Sequence, residues 1–330
     1  MLQSSSAMWR MVGAVTRSWR PGDAWRSTLE DLRAHPGTLA GVASILSLPV
    51  AIGALYQAVR PGLSGLAVSA LLSALATLWL TFAVTLAIRD FRERPETSVS
   101  SLIRASTIGR VFSLGITQVL LGLLGLAALL VAGLPLILAA VTVFGGGLSP
   151  NRLSGTAILI LVAALALTLA LAVFLTVAVF VRYGLVAPVN ILEGRSPLSS
   201  FGRSRELTNR RGRDMVMLLL MLFGVGLVVA IVLNGPASLV LTQPETPTPG
   251  PGPPRLEDLL SSLGPTSPLS PAAAAIVAVS SYLSSVVGTT LSAALTAHFY
   301  LAFKRGAESS LPKASEEGTT PVTTDDAGPI

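Results

Sequence analysis

Cysteine is absent from the 330-residue sequence, and histidine occurs only twice. The absence of cysteine excludes disulfide bonds, thiol nucleophiles and thiolate metal ligands. His35 and His298 lie far apart in the sequence and beside no carboxylate cluster. Because a zinc or iron centre needs several ligands together, we expect neither a resident metal nor another cofactor.

Charged residues are also scarce. They make up 12% of the chain, and 51% of the residues are hydrophobic, whereas soluble proteins carry roughly 25% charged residues. The apolar residues form six runs of at least about 20 residues, the length that a helix needs to cross a bilayer. The sequence therefore predicts an all-α, polytopic membrane protein with six transmembrane helices.

The predicted spans are approximately 38–58, 63–88, 114–144, 157–187, 214–234 and 272–303. Pro135 and Pro188 are the predicted break points of the third and fourth spans.

The positive charges are distributed unevenly between the two sides of the membrane. The N-terminal segment, the loops 89–110 and 182–213 and the C-terminal tail hold five, five, seven and three Lys or Arg residues, which is 20 of the 23. The positive-inside rule then predicts that both termini are cytoplasmic. Because the arginines flank apolar runs, the net charge of +6 indicates membrane orientation and not nucleic-acid binding. Arginine far outnumbers lysine, which is typical of a high-GC bacterial genome, so we expect a bacterial cytoplasmic (inner) membrane.

The chain divides into three regions by composition. Residues 1–20 form an N-terminal cytoplasmic segment, 21–307 the six-span membrane domain, and 308–330 a polar cytoplasmic tail that we expect to be disordered. Within the membrane domain, the extracytoplasmic loop 235–271 contains ten prolines, which favour extended or disordered chain.

An internal repeat is visible in the Arg-rich segments. Ser100–Ser106 aligns with Ser199–Arg205 at an offset of 99 residues, and Asp23–Glu30 has a weaker version of the pattern. Each segment is predicted to be a short amphipathic helix that precedes two spans. The sequence thus predicts three repeats of an interfacial helix and two spans, although any Arg-rich loop between membrane helices can look amphipathic.

The segment 182–208 resembles a known family. Its Arg182-Tyr183, the stretch Ala187–Gly194 (APVNILEG) and Ser200–Thr208 (SFGRSRELT) are similar to the membrane domain of glycerophosphoryl diester phosphodiesterases and to related six-span proteins of unknown function. In the founding enzymes a separate soluble barrel carries catalysis, and this chain lacks that barrel. The resemblance implies the topology and not the hydrolytic activity.

The same segment supplies a candidate lipid-headgroup or structural motif. Arg182 either needs a partner at the membrane interface or extends to the cytoplasmic surface as an anchor. Glu193 has Arg182, Arg203 and Arg205 as possible partners. The basic stretch from Arg203 to Arg213 either attracts the anionic lipids of the cytoplasmic leaflet or forms a specific site for a lipid headgroup or a protein. The motif comprises Arg182, Pro188, Glu193, Arg203, Ser204 and Arg205.

Two rows of small residues recur every four positions, in the second and sixth spans. Such rows allow close packing of membrane helices, or they line a polar conduit. We predict packing. The residues predicted to face other helices are Ser73, Thr77, Thr81, Ser284, Gly288 and Ser292.

These observations favour a non-enzymatic integral membrane protein, an accessory or scaffold subunit of a membrane assembly or an organiser of lipids. The expected partners are anionic lipids of the cytoplasmic leaflet and other membrane proteins. The alternative is a lipid or small-molecule permease that uses the Ser/Thr rows. A third possibility, an intramembrane enzyme, would have to combine Glu193, Ser204 and His298.

Overall fold

The computed structural model describes residues 20–93, 97–144, 155–235, 237–238 and 269–309. All regular structure within these ranges is helical, and six helices are long and apolar enough to cross a membrane. The prediction of an all-α, six-span membrane protein is therefore confirmed.

Along the chain, each pair of spans is preceded by one or two short helices. The spans are α2 (Pro36–Val59), α3 (Leu63–Glu93), α5 (Ile108–Phe144), α6 (Gly155–Tyr183), α9 (Gly212–Val232) and a sixth span made of α10 (Pro271–Ser284), a π-helical segment (Ser285–Thr289) and α11 (Thr290–Ser309). The short helices are α1 (Pro21–Ala34), α4 (Val99–Ala105), α7 (Val186–Glu193) and α8 (Pro197–Thr208).

Short helices occur at all three positions where the sequence predicted an interfacial helix. Ser98 caps α4 by accepting a hydrogen bond from the Ser101 amide at 3.3 Å, and α8 begins at Pro197 after Ser196. The first helix begins at Pro21, two residues before the segment Asp23–Glu30 of the repeat, and Asp23 Oδ2 accepts a hydrogen bond from the Arg20 amide at 2.9 Å within the first turn. The threefold repeat itself stays a prediction.

The buried core lies at the end of the bundle where α1, α4, α7 and α8 gather, which we call the basic end. The first, second and sixth spans pack together there, and in α3 every residue from Phe82 to Ile88 is buried. A second cluster joins the start of the fifth span to the end of the sixth through Met215, Phe299 and Phe303. The hydrophobic interior is thus concentrated at one end of the molecule.

The third and fourth spans form a hairpin that contacts the other four spans sparingly. They pack against each other and, at one end, against α7 and α8, and no residue in the most apolar stretch of the fourth span is buried. Large side chains such as Leu138, Leu159 and Phe174 are exposed. In a bilayer this surface contacts lipid tails or other membrane helices.

The predicted break points were wrong in their positions. Pro135 lies inside the uninterrupted α5. The fourth span ends at Tyr183, and Pro188 is the third residue of the next helix, α7. Proline is tolerated there because the first amides of a helix have no intrahelical acceptor. The chain bends at Gly184 instead, where a Cβ would lie 2.7 Å from the Phe180 carbonyl oxygen and 2.8 Å from Met215 Cε.

The small-residue rows follow the packing prediction only in part. Five of the six residues are half-buried, namely Ser73, Thr81, Ser284, Gly288 and Ser292. Thr77 is exposed, so the prediction is wrong at this position. The reason is geometric, since positions four apart turn by about 40° around a helix of 3.6 residues per turn. The row therefore leaves the face that meets the first span, where a Cβ on Gly53 would lie 3.0 Å from Ser69 Cα.

Several predicted regions lie outside the described residues. They are the N-terminal segment up to residue 19, residues 239–268 of the proline-rich loop and the tail from residue 310.

Candidate functional site

The candidate motif is carried by α7, α8 and the bend that joins them to the fourth span. Most of α7 is buried, including Pro188, Val189 and Asn190. Gly194 ends this helix in the left-handed conformation, with φ 64° and ψ 25°, which glycine adopts at little cost. Glu193 is therefore held at a sharp corner between two helices, at the basic end.

Glu193 is the centre of a cluster of hydrogen bonds and ion pairs. Its Oε1 accepts from Tyr300 Oη at 2.9 Å and from Arg203 Nε at 3.4 Å, and its Oε2 accepts from Arg195 Nε at 2.6 Å. Only 11% of the Glu193 side chain is exposed. We call Glu193, Arg195, Arg203 and Tyr300 the Glu193 clamp, because it fastens α7 and α8 to the sixth span. Of the three arginines considered as partners from the sequence, Arg203 is the one that contacts Glu193.

Arg203 also contacts a second carboxylate. Its Nη1 donates to Glu206 Oε2 at 3.1 Å. This hydrogen bond, together with the negative charge of Glu193, outweighs the effect of burial and raises the pKa of Arg203 above its ordinary value. Arg203 is therefore a permanent cation that bridges two carboxylates.

The buried face of α8 is lined by hydroxyl groups. Ser200, Ser204 and Thr208 are buried at intervals of four residues, whereas Leu198 is 75% exposed. The expected apolar face is thus replaced in α8 by a largely polar one. Ser204 Oγ donates to the Arg182 carbonyl oxygen at 3.1 Å, which satisfies one of the acceptors left free at the end of the fourth span. Ser204 has a structural role here.

Two polar contacts of this end were missed by sequence reasoning. Asn190 Nδ2 donates to Ser113 Oγ at 3.1 Å and to the Arg195 carbonyl oxygen at 2.9 Å, linking α7 to the third span. The only sequence signal for Asn190 was an amide side chain within an apolar run.

His298 forms the second missed contact. It is 2% exposed, and its Nδ1 accepts from an Arg92 Nη2 donor at 2.9 Å. Its Nε2 lies 3.0 Å from Asp31 Oδ2, although the two atoms do not align as a hydrogen bond. His298 thus joins the sixth span to α1 and the second span, and its side chain is buried inside the protein.

The hypothetical enzyme set is not assembled. Among the described residues no hydrogen bond or ion pair joins any two of Glu193, Ser204 and His298, because each has other partners. Within the same residues, no group of three or more His, Asp or Glu side chains is placed to hold a metal ion.

The remaining two arginines of the motif lie in a separate groove. Arg182 and Arg205 line a cavity of about 610 Å³, together with Glu206, Arg210 and Gly202. We call this cavity the arginine groove. It lies between the end of the fourth span and the start of the fifth. The six-residue motif therefore divides into a buried structural part and an open basic part.

Comparison with known proteins identifies one family. Its profile matches residues 22–303, and its description reads Domain of unknown function (DUF7847). Comparison with curated proteins gave no match. Comparison with solved structures gave none either.

Proposed function

The chain belongs to the DUF7847 family, and on this premise we propose that it is a non-enzymatic membrane scaffold that organises anionic lipid at its basic end. The observation that carries the proposal is the division of the candidate motif into a buried structural part and an exposed basic part. Glu193 and Ser204, the groups best suited to acid, base or nucleophilic chemistry, are engaged in holding helices together. Arg182 and Arg205, by contrast, are exposed.

The proposal includes an orientation. We infer that the basic end faces the cytoplasm of a bacterium, since the sequence concentrates its arginines there. Near an anionic leaflet each surface arginine contributes about 1 kcal/mol of attraction. The exposed residues Arg104, Arg110 and Arg213 would together draw anionic lipid around the protein.

The hairpin of the third and fourth spans supports the scaffold part of the proposal. Its side chains are largely exposed, so it extends the apolar surface on which other membrane proteins can pack. An accessory subunit needs such a surface.

Lipid analysis tests the proposal. The protein is extracted into native nanodiscs, and the phospholipids that accompany it are compared with those of the whole membrane by mass spectrometry. We expect enrichment of anionic phospholipid, reduced in a variant that combines Arg104→Gln, Arg110→Gln and Arg213→Gln, together with co-purifying membrane proteins. A lipid composition equal to that of the membrane, with no co-purifying protein, would reject the proposal.

A second proposal, a lipid or small-molecule permease, is favoured by the π-helical segment. Ser285–Thr289 interrupts the sixth span beside its row of small residues, and the buried Thr290 hydroxyl next to it has no hydrogen-bond partner within the described part of the chain. Interrupted helices supply free polar groups to the substrate sites of many transporters.

Thiol labelling tests this second proposal. Ser47 Oγ lies 3.2 Å from Ser285 Oγ, and the sequence contains no cysteine. If a water-filled path reaches this point, Ser47→Cys reacts with a hydrophilic thiol reagent in the folded protein. If the two spans merely pack there, it reacts only after unfolding.

A further inference from the structure

The arginine groove is lined by three arginines whose guanidinium groups have no partner in the described part of the chain. Arg182, Arg205 and Arg210 line the groove, and none of their side chains forms a hydrogen bond or an ion pair with any of the described residues. The single carboxylate of the groove lining, Glu206, is already bonded to Arg203. Three positive charges therefore line one cavity, and the negative charge of its single carboxylate is shared with Arg203.

Backbone conformation adds to this arrangement. Arg210 has φ 64° and is the one non-glycine residue in the described ranges with positive φ. Side-chain-bearing residues disfavour this region, and where they adopt it the site often binds a ligand. The turn between α8 and the fifth span thus uses an unfavourable conformation at a residue whose charge belongs to the groove.

The surroundings of the groove indicate the kind of anion. Val181 and Gly212, which lie near the ends of two apolar spans, also line the groove. Further along the fifth span, Val216, Met217 and Leu220 are exposed. A ligand with an anionic head and apolar tails would place its head among the arginines and its tails along the span.

We propose that the arginine groove binds the phosphate group of one anionic phospholipid. Guanidinium groups bind phosphate through paired, charge-assisted hydrogen bonds, and the two non-bridging oxygens of a phosphodiester can each accept from more than one guanidinium group. This inference rests on the proposed function, because the groove must face an anionic leaflet. It goes further by assigning one lipid to one site instead of a general attraction.

Gly202 provides a way to close the groove. It is exposed on α8 and lines the groove, and a Cβ added to it meets no atom within 4 Å. The side chain of Gly202→Leu therefore begins in open space at the groove, and replacing a helical glycine also favours the helix. Gly226→Leu is the matched control, since Gly226 is an exposed helical glycine on the fifth span with equally open space around its Cβ position.

Native mass spectrometry measures the bound lipid directly. The full chain is released from nanodiscs that contain phosphatidylcholine and a minor fraction of phosphatidylglycerol. Wild type and Gly226→Leu are expected to retain one phosphatidylglycerol molecule that Gly202→Leu loses. Arg205→Gln should weaken its retention by about tenfold, because one charge-assisted hydrogen-bonding partner is removed. Arg205→Lys should weaken it as well, since lysine lacks the paired donors.

The outcomes separate this inference from the function on which it rests. If Gly202→Leu and Arg205→Gln retain the lipid as wild type does, while anionic lipid is still enriched around all variants, the groove assignment is wrong and the proposed function stands. If wild type shows no enrichment at all, both fail. Inorganic phosphate is added in a separate arm, and if it displaces phosphatidylglycerol at low concentration, the site takes a soluble phosphate and the lipid assignment is overturned.

Discussion

Removal of a single hydroxyl group tests the Glu193 clamp. Tyr300 is 1% exposed, and its Oη donates to Glu193 Oε1 at 2.9 Å. Tyr300→Phe keeps the ring and its packing and deletes only this hydrogen bond. A hydrogen bond to a charged group contributes about 1.5–3 kcal/mol. Because Glu193 keeps Arg195 and Arg203 as partners, we expect a loss near the lower end, about 1.5 kcal/mol of unfolding free energy.

Equilibrium unfolding in mixed detergent micelles measures this loss, and a double-mutant cycle assigns it to the pair. In the cycle, Tyr300→Phe is combined with Glu193→Gln, and the coupling energy is expected to be about 1 kcal/mol or more. Tyr183→Phe is the control, since the Tyr183 hydroxyl has no hydrogen bond to the described residues while its ring contacts Phe201. A Tyr300→Phe variant as stable as wild type, or a coupling energy near zero, would refute the clamp.

The other predictions concern packing and topology. Gly288→Leu should destabilise the fold by about 1–3 kcal/mol, since a Cβ there already lies 3.5 Å from Val229 Cγ1. If the control Gly226→Leu loses as much stability as Gly288→Leu, the result would argue against helix contact at Gly288. Gly184→Ala should cost a similar amount in the same unfolding assay because its Cβ has no room, and unchanged stability would show that the bend adapts freely. Ser101 is exposed, so a thiol reagent that reaches this side of the membrane can react with Ser101→Cys. The variant should resist an impermeant reagent in intact cells and react after permeabilisation. Labelling of intact cells would reverse the proposed orientation.

The spans were predictable because the bilayer imposes a length and a polarity on every crossing helix. Their ends were harder to place, because they depend on contacts between distant parts of the chain. The fourth span ends where Gly184 meets Met215, a contact across 31 positions that no local pattern encodes. Pro188 was the more obvious breaker in the sequence, yet its position in the first turn of α7 makes it harmless.

The division of the candidate motif into two parts could not be predicted from the sequence either. Sequence spacing grouped Arg182, Glu193, Arg203 and Arg205 as one basic segment with one acid. The structure separates them because Glu193 binds Tyr300, 107 positions away, and because α8 directs Arg203 and Arg205 to different surroundings. The row through Thr77 failed for another reason, since a fixed spacing of four does not stay on one face of a helix.

The packing of the sixth span against the first and second has a consequence for biosynthesis. The core cluster of the first two spans includes Ala293, Ala294 and Ala297 of the sixth, so it cannot be completed until almost the whole chain has been translated. The roughly 200 residues between the second span and α11 take about 10 to 40 s to synthesise. During that time Asp31 and Arg92 are in place without His298, and Glu193 emerges before Tyr300. A nascent chain arrested before the sixth span would therefore hold inserted helices whose polar groups still lack their final partners, the state in which a membrane quality-control protease would recognise it.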